Sequence, residues 1–295
     1  MDALNLQDGA AASVRWVEVP LGAPRVRFYA AAPPLALRGD VEHLWRLEAV
    51  APLPAAVAHS CASRASVDLV LTLDGHFAER AEASLFGPGG RGAYLIGPTV
   101  RATEVVSSGR CRVLAARLRP GRAAGLLRTS ARELRDRVIR LEEACPVDTE
   151  ALAEALGRRD VDAATSFLYG TLFVLGRRAG APDPLITEAL GLLEQGRGAL
   201  AVEAAARTLG STVRHLERRF REHVGLGPKR WTRIARMNHA MRLLGSGGNG
   251  MDFAAVVDAC GFYDQAHLIR EFRELAGLTP GAYVRRATRC SDERG

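Results

Sequence analysis

A sequence repeat in the C-terminal third of the chain constrains the fold more than any other feature. Residues 215–228 and residues 267–280, which lie 52 positions later, are identical at nine of fourteen positions. The identical pairs are His215/His267, Leu216/Leu268, Arg218/Arg270, Phe220/Phe272, Arg221/Arg273, Glu222/Glu274, Gly225/Gly277, Leu226/Leu278 and Pro228/Pro280. Trp231 and Tyr283 then match in kind. The same small module is therefore expected to occur twice.

Each copy has the parts of a helix-turn-helix. A short helix rich in Ala or Val is followed by a tight turn with glycine and by a longer helix. Ala205, Ala206 and Ala255 are small enough to let two helices cross closely. Thr212 and Asp264 are expected to cap the second helices, because a side-chain oxygen at that position accepts an otherwise unpaired backbone N–H.

The second helix of each copy is expected to have one apolar and one polar face. Leu216 with Phe220, and Leu268 with Phe272, stand four residues apart and would bury the same side of their helix. The opposite side is polar and is free to enter the major groove of DNA.

These residues resemble the AraC family of transcription regulators. The motifs that carry the resemblance are Thr212-x3-Leu216-x-Arg218-x-Phe220, Gly225-x2-Pro228, Gly261-Phe262, Asp264-Gln265-x2-Leu268-x-Arg270-x-Phe272 and Gly277-x-Thr279-Pro280-x2-Tyr283, within about 184–286. The resemblance implies two helix-turn-helix units, at about 200–224 and 252–276, joined by a long helix. We place that joining helix at about 228–244.

The resemblance also implies which side chains face DNA. In the first unit they are Val213, Arg214, Glu217, Arg218 and Arg221. In the second unit they are Gln265, Ala266, Ile269, Arg270 and Arg273. Arginine pairs with guanine and glutamine with adenine, whereas Val, Ala and Ile contact a thymine methyl group. The alternative is that some of these arginines contact only phosphate, or no part of the DNA. His215 and His267 are expected on the helix surface rather than as metal ligands.

The distribution of charge favours a polyanionic partner. The chain carries a net charge of +7, but residues 197–242 alone hold eleven basic and three acidic residues, which gives +8. Residues 1–182 hold 23 basic and 20 acidic residues, which gives only +3. A basic stretch is often just a solvated helix face, yet its position over the repeated module favours nucleic acid.

The N-terminal part of the chain has the pattern of a separate β domain. The whole chain has 295 residues, a length that suits two domains. Alternating runs at 13–19, 67–73 and 110–118 predict antiparallel strands, and helical spacing between 122 and 178 predicts a helical layer or connector. Gly180, Pro182 and Pro184 cannot extend a helix. We therefore predict domains at 1–180 and 184–290.

A second, weaker resemblance covers about 14–141. The runs 67–73 and 113–120, Ile96-Gly-Pro98 and Leu134-Arg-Asp136-Arg-Val resemble the cupin-like N-terminal domains of AraC-type regulators. The predicted fold class is thus an α+β multidomain protein. It has an N-terminal antiparallel, cupin-like β domain with a helical connector, and an all-α C-terminal domain. Such N-terminal domains bind a small effector or mediate dimerisation. The aromatic residues Trp16, Phe28, Trp45 and Phe77 would either enclose an apolar ligand or belong to the core.

No metal or cofactor site is expected. Five scattered cysteines contain no C-x-x-C pair, and His43, His59 and His76 lack metal-ligand spacing. The G-x-G-x-x-G match at 87–92 is followed by a strand-like run, so we interpret it as a hairpin loop. The chain has no apolar run of bilayer-spanning length and no signal-like N-terminus, which predicts a cytoplasmic protein.

The sequence therefore predicts a DNA-binding transcription regulator rather than an enzyme. The family resemblance implies an activator. Its expected partners are double-stranded DNA, RNA polymerase, and a small effector or a second copy of the chain. One alternative is an enzyme built on the β domain, which would need a metal triad or an activated nucleophile; neither is visible. Another is a DNA-repair protein with the same DNA module behind a zinc domain, but Cys61, Cys111 and Cys145 have the wrong spacing.

Overall fold

The structure is a computed structural model, and its described residues are 17–19, 26–49, 51–79, 90–196, 200–246 and 252–285. Several sequence predictions lie outside them: the loop at 87–89, residues 247–250, Trp16, Cys290 and the side chains of His59, His76 and Phe77.

The N-terminal domain is built on an antiparallel sheet, as predicted. Its strands are β1 (Val17–Val19), β2 (Val26–Ala31), β3 (Val41–Ala49), β4 (Leu53–Cys61), β5 (Asp68–Glu79), β6 (Gly92–Ile96), β7 (Thr103–Leu118) and β8 (Val138–Arg140). They follow the order β1-β2-β3-β7-β5-β6-β8, and β4 pairs with β7. The 16-residue β7 pairs with β3, β4 and β5, so it is the central strand of the domain.

Five helices follow the long strand and cover one face of the sheet. They are α1 (Ala123–Leu127), α2 (Ala131–Leu134), α3 (Leu141–Ala144), α4 (Thr149–Arg158) and α5 (Val161–Arg178). A short 3-10 helix, Leu35–Leu37, precedes β3. Leu69 and Leu71 of β5 pack with Phe167 and Leu168 of α5 in this core. A smaller cluster on the other face contains Val70 and its neighbours.

The predicted connector is not wholly helical. Residues 138–140 form β8 and pair with β6, where Val138 lies opposite Ile96. A strand of three residues is too short to show a two-residue period, and it lies between helices, which explains why the pattern at 122–178 suggested helix alone.

The C-terminal domain is all helical, which confirms the predicted fold class. Its helices are α6 (Pro184–Gln195), α7 (Val202–Thr208), α8 (Val213–Val224), α9 (Pro228–Ser246), α10 (Phe253–Cys260) and α11 (Gln265–Ala276). Residues 280–285, at the end of the described part of the chain, are also helical. The joining helix α9 extends two residues beyond the predicted end. None of the described helices is long and apolar enough to cross a membrane.

The two domains pack against each other. Helix α8 lies against α1 and α2 of the N-terminal domain. The backbone N–H of Ser63 donates to the carbonyl oxygen of Leu275 at 2.7 Å, and that of Ala102 donates to Glu274 at 3.1 Å. Gly225 lies so near α2 that a Cβ atom added to it would come within 2.6 Å of the Ala131 carbonyl oxygen. The C-terminal ends of both α8 and α11 therefore face the N-terminal domain.

Candidate nucleic-acid interface

The two copies of the repeat form two helix-turn-helix units with matching interiors. Leu216 and Phe220 of α8, and their counterparts Leu268 and Phe272 of α11, are all fully buried, as predicted. The following helix adds one aromatic ring to each core. The ring centroids of Phe220 and Trp231 are 6.5 Å apart, and those of Phe272 and Tyr283 are 5.8 Å apart.

The second helices of the two units, α8 and α11, are called the recognition helices below. Both begin and end in the same way. The Thr212 hydroxyl accepts the His215 N–H at 3.2 Å, and the Asp264 carboxylate accepts the His267 N–H at 2.6 Å. Each cap satisfies one backbone donor that the first turn leaves unpaired. At the other end, Gly225 and Gly277 take the left-handed conformation that ends a helix, with φ values of 84° and 73°. The predicted caps are confirmed.

The prediction for the small residues is correct in the first unit and wrong in part of the second. Ala205 and Ala206 are buried, whereas Ala255 is exposed. Val256 and Cys260 occupy the buried face of α10 instead. The helix begins at Phe253, and this start turns Ala255 toward solvent, which residue size alone did not reveal.

The residues predicted to contact DNA lie on α8 and α11, mostly at the surface. Three of the ten, Val213, Glu217 and Ile269, are half-buried. The exposed members are Arg214, Arg218, Arg221, Gln265, Ala266, Arg270 and Arg273. Each helix therefore presents a polar, arginine-containing surface opposite its buried Leu and Phe side chains.

The two surfaces differ in how their arginines are engaged. On α8, an Arg218 nitrogen lies 3.2 Å from His215 Nδ1, and Arg221 pairs with Glu217 at 3.0 Å. By contrast, Arg270 and Arg273 of α11 form no ion pair with any other described residue. The positive charge of the second surface is thus the more available to an anionic partner.

An ion pair attaches α8 to α6. Asp183 caps α6 by accepting the Ile186 N–H at 2.9 Å, and its carboxylate also accepts a hydrogen bond from Arg219. Burial alone would raise the pKa of Asp183, but these hydrogen bonds and the Arg219 charge hold it below its ordinary value. His223 lies 3.6 Å from the same carboxylate, and burial followed by the Arg219 charge lowers its pKa.

A second set of ion pairs attaches α11 to the joining helix. Arg233 of α9 donates to both oxygens of Glu271, at 2.6 and 3.0 Å, and also to Glu274 at 2.6 Å. Arg230 donates to Glu274 at 2.9 Å. The hydrogen bonds from Arg230 and Arg233 lower the pKa of Glu274. This arrangement fixes the orientation of α11 on α9.

Several residues near this interface were missed by sequence reasoning. Ser130 and Arg132, at the start of α2, line a cleft of about 210 Å³ together with Arg218, Arg221 and Glu222 of α8. Arg132 and Arg218 are 86 positions apart in the sequence. No residue pattern in the sequence could have predicted that α2 lies beside α8. Tyr263, just before the α11 cap, is 91% exposed. Its position directly before the predicted cap Asp264 is the sequence signal that could have identified it.

The described residues contain no group of three or more His, Cys, Asp or Glu side chains that could hold a metal ion. The described cysteines, Cys61, Cys111, Cys145 and Cys260, form no disulfide with one another. His43 is buried in the sheet, 3.5 Å from the Glu42 carboxylate.

Comparison with known families agrees with the geometry. Residues 205–286 match the family described as Helix-turn-helix domain. The C-terminal domain is an AraC-type helix-turn-helix domain. The chain is 39% identical over 84 residues to the HTH-type transcriptional regulator GlxA of Rhizobium meliloti (strain 1021), an alignment that covers 28% of this chain. It spans only 25% of the length of that relative. Residues 29–140 match the family called Domain of unknown function (DUF6597).

Solved structures with lower similarity include apo ToxT from Vibrio cholerae strain SCE256 and the AraC-like transcriptional activator CuxR. The ToxT match has a TM-score of 0.46 at 12% identity and covers 82% of this chain and 98% of that chain. The CuxR match has a TM-score of 0.30 at 14% identity and covers 73% and 80%. Residues 205–286 are assigned as a helix-turn-helix domain by the family match alone.

Proposed function

We propose that this protein binds double-stranded DNA sequence-specifically and regulates transcription. The observation that carries the proposal is the duplicated helix-turn-helix with an exposed arginine, Arg218 or Arg270, at the same position of each recognition helix. Bidentate pairing of arginine with guanine is the commonest specific contact in the major groove.

The two units are proposed to enter successive major grooves on one face of the DNA. Helix α9 has 19 residues, which span about 28 Å at 1.5 Å per residue. Successive grooves on one face lie about 34 Å apart. The turns that flank α9 supply the difference, or the DNA bends at a cost of order 1 to 6 kcal/mol.

Selection of binding sites from a random duplex pool tests this proposal with the full chain and its variants Arg218→Ala and Arg270→Ala. Each variant is expected to lose about 1 to 3 kcal/mol of binding free energy and to relax base preference at one or two positions. The two affected positions should lie about 10 base pairs apart. Arg158→Ala, which removes an exposed arginine of α4, is the charge-matched control. Unchanged base preference in both variants would contradict base reading by these arginines.

The regulatory part of the proposal concerns the N-terminal domain. We propose that residues 1–180 receive the input, through a small effector or through dimerisation, and that 184–290 bind DNA. The rings of Phe28 and Trp45 stack in the sheet with centroids 5.7 Å apart, and we propose this aromatic pair as one wall of an apolar effector site. Exposed Phe173 and Val174 on α5 support contact with a second copy.

We further propose that the protein acts in the cytoplasm as an activator that contacts RNA polymerase, and that it catalyses no reaction. Transcription in vitro from a selected site, with and without the protein, tests whether it activates or represses.

Sedimentation of the wild type and of Phe173→Ser tests dimerisation through α5. A wild-type protein that stays monomeric at all concentrations would contradict the proposed dimer.

A further inference from the structure

A cleft between the two domains opens beside the first recognition helix. Ser130 and Arg132 of α2 form one side, and Arg218, Arg221 and Glu222 of α8 form the other. Arg132 is exposed, and the side chains of Arg218 and Arg221 are 62% and 48% exposed. The cleft thus combines residues of the N-terminal domain with two of the arginines proposed to face DNA.

The cleft carries surplus positive charge. The lining holds three guanidinium groups and the Glu222 carboxylate. Arg221 is paired with Glu217 at 3.0 Å, and Glu222 lies 3.0 Å from Arg219 and 4.0 Å from Arg218. Arg132 forms no ion pair with any described residue. The neighbouring Glu133 carboxylate accepts a hydrogen bond from the Thr129 hydroxyl at 3.2 Å. An anion in the cleft would therefore meet unneutralised charge.

The hydroxyl of Ser130 also suits an anion. Its oxygen accepts the backbone N–H of Arg132 at 3.4 Å as the cap of α2. Because the hydroxyl uses its oxygen for this contact, its O–H remains available to donate. A donor hydroxyl beside a guanidinium matches the oxygens of a phosphate group.

The position of the cleft indicates where such a phosphate would come from. A helix is about 10 to 12 Å across, and the major groove is about 12 Å wide. Once α8 fills the groove, a protein group beside its DNA-facing side meets the sugar-phosphate backbone at the groove edge rather than the bases. Ser130 and Arg132 lie beside α8 at the position where the edge of the groove would be.

We infer that Ser130 and Arg132 bind a backbone phosphate of the DNA that α8 enters, so that the N-terminal domain forms part of the DNA interface. This inference rests on the proposed function. The close approach of Gly225 to Ala131 fixes α2 against α8 before DNA binds. Little ordering is then required of the backbone around Arg132, which favours the contact.

The test measures the affinity of the full chain for a selected duplex between about 50 and 200 mM salt. Arg132→Ala is expected to weaken binding about three- to tenfold for all sequences and to reduce the slope of log K against log salt by about one. Arg132→Lys should restore most of the affinity, because a phosphate contact requires only a positive charge. Base preference should not change in either variant.

The control is again Arg158→Ala, which removes one exposed positive charge, paired with Glu154, from α4. Its affinity and salt slope should equal those of wild type. Equal affinity of Arg132→Ala and wild type would overturn the inference. Tighter binding by Arg132→Ala would also overturn it, because Arg132 would then shield the α8 arginines from DNA. Failure of the wild-type protein to select any site would instead refute the proposed function.

Discussion

Asp183 connects the start of the C-terminal domain to its first recognition helix. Its carboxylate caps α6 and accepts a hydrogen bond from Arg219, and its side chain is only 10% exposed. One side chain thus sets both the first turn of α6 and the position of α8 on that helix.

We predict that Asp183→Ala lowers the free energy of unfolding by about 2 kcal/mol, because it removes a cap and takes from the partly buried Arg219 one of its two carboxylate partners, leaving only Glu222. The cap alone contributes about 1 kcal/mol. Asp148→Ala is the control, since Asp148 caps α4 by accepting the Ala151 N–H and forms no ion pair with a described residue. Urea unfolding at neutral pH measures both losses. Equal losses would show that the ion pair adds nothing.

The lowered pKa of Asp183 gives this stabilisation a pH dependence. The ionised carboxylate is favoured in the folded state, so its contribution is complete above the ordinary value of 3.8 and is lost as the pH falls through the lower folded value. We predict that the stability difference between wild type and Asp183→Ala shrinks only below about pH 4. His223 faces the same carboxylate and would add its own titration, so the comparison is made in a His223→Gln background. A difference that stays constant to pH 2 would contradict the assignment.

The sequence predicts local contacts, such as helix caps, better than contacts between distant segments. The caps Thr212 and Asp264 follow from residue type and position because they act within three residues of their own helix. The Arg219 hydrogen bond to Asp183 spans 36 positions, and the cleft at Arg132 joins segments still farther apart. Such contacts depend on how the helices pack, which a single sequence does not reveal.

At the scale of elements, α8 has two functions along its length. Its exposed surface carries the residues proposed to face DNA, and its C-terminal end lies against α2 of the N-terminal domain. Gly225 allows this contact because it has φ +84° and no side chain.

We predict that Gly225→Ala loosens the contact between α8 and α2, whereas Gly210→Ala does not. Both glycines have positive φ, so alanine costs about 1 to 2 kcal/mol at either place. A Cβ at Gly210 meets nothing within 4 Å, but at Gly225 it would lie 2.6 Å from the Ala131 carbonyl oxygen, which cannot rotate away. Hydrogen exchange should therefore quicken in α1 and α2 of Gly225→Ala only. Equal exchange in both variants would refute a docked α2.

The elements themselves were predicted to different extents. Alternation at 110–118 indicated the second half of β7, but its first half contains Ser107, Ser108 and Gly109, which break the apolar pattern. The small strand β8 was not recognised. Helices α8 and α11 were predicted well, because Leu216 with Phe220 and Leu268 with Phe272 give each of them one apolar face.

At the scale of the whole molecule, two packed domains are joined by an exposed linker. Residues 180–182 are exposed between α5 and α6, and Arg177 and Arg178 are exposed in the last turn of α5. The domain contacts at Ser63 and Ala102 lie elsewhere in the chain.

We predict that limited trypsin digestion cuts after Arg177 or Arg178 and yields a C-terminal fragment that stays bound to the N-terminal domain. Exposed segments near helix ends are preferred sites of cleavage, and the backbone hydrogen bonds between the domains survive the cut. Gel filtration after digestion checks this outcome. The double variant Arg177→Gln, Arg178→Gln should resist cleavage there. Separate elution of the two fragments would show that the domain contacts do not hold without the covalent linker.

The ion pairs of the two recognition helices bear on correct assembly of the repeat. Arg219 and Glu271 occupy the same position in the two copies but carry opposite charges, and each binds a partner of the other sign, Asp183 or Arg233. If α8 and α11 exchanged places during folding, their similar apolar faces would still fit. Arg219 would then face Arg233, and Glu271 would face Asp183. Two repulsive pairs would oppose this misassembly, a characteristic failure of proteins with internal repeats. A reversal of charge at one position thus lets a duplicated module keep its sequence and still assemble in one order.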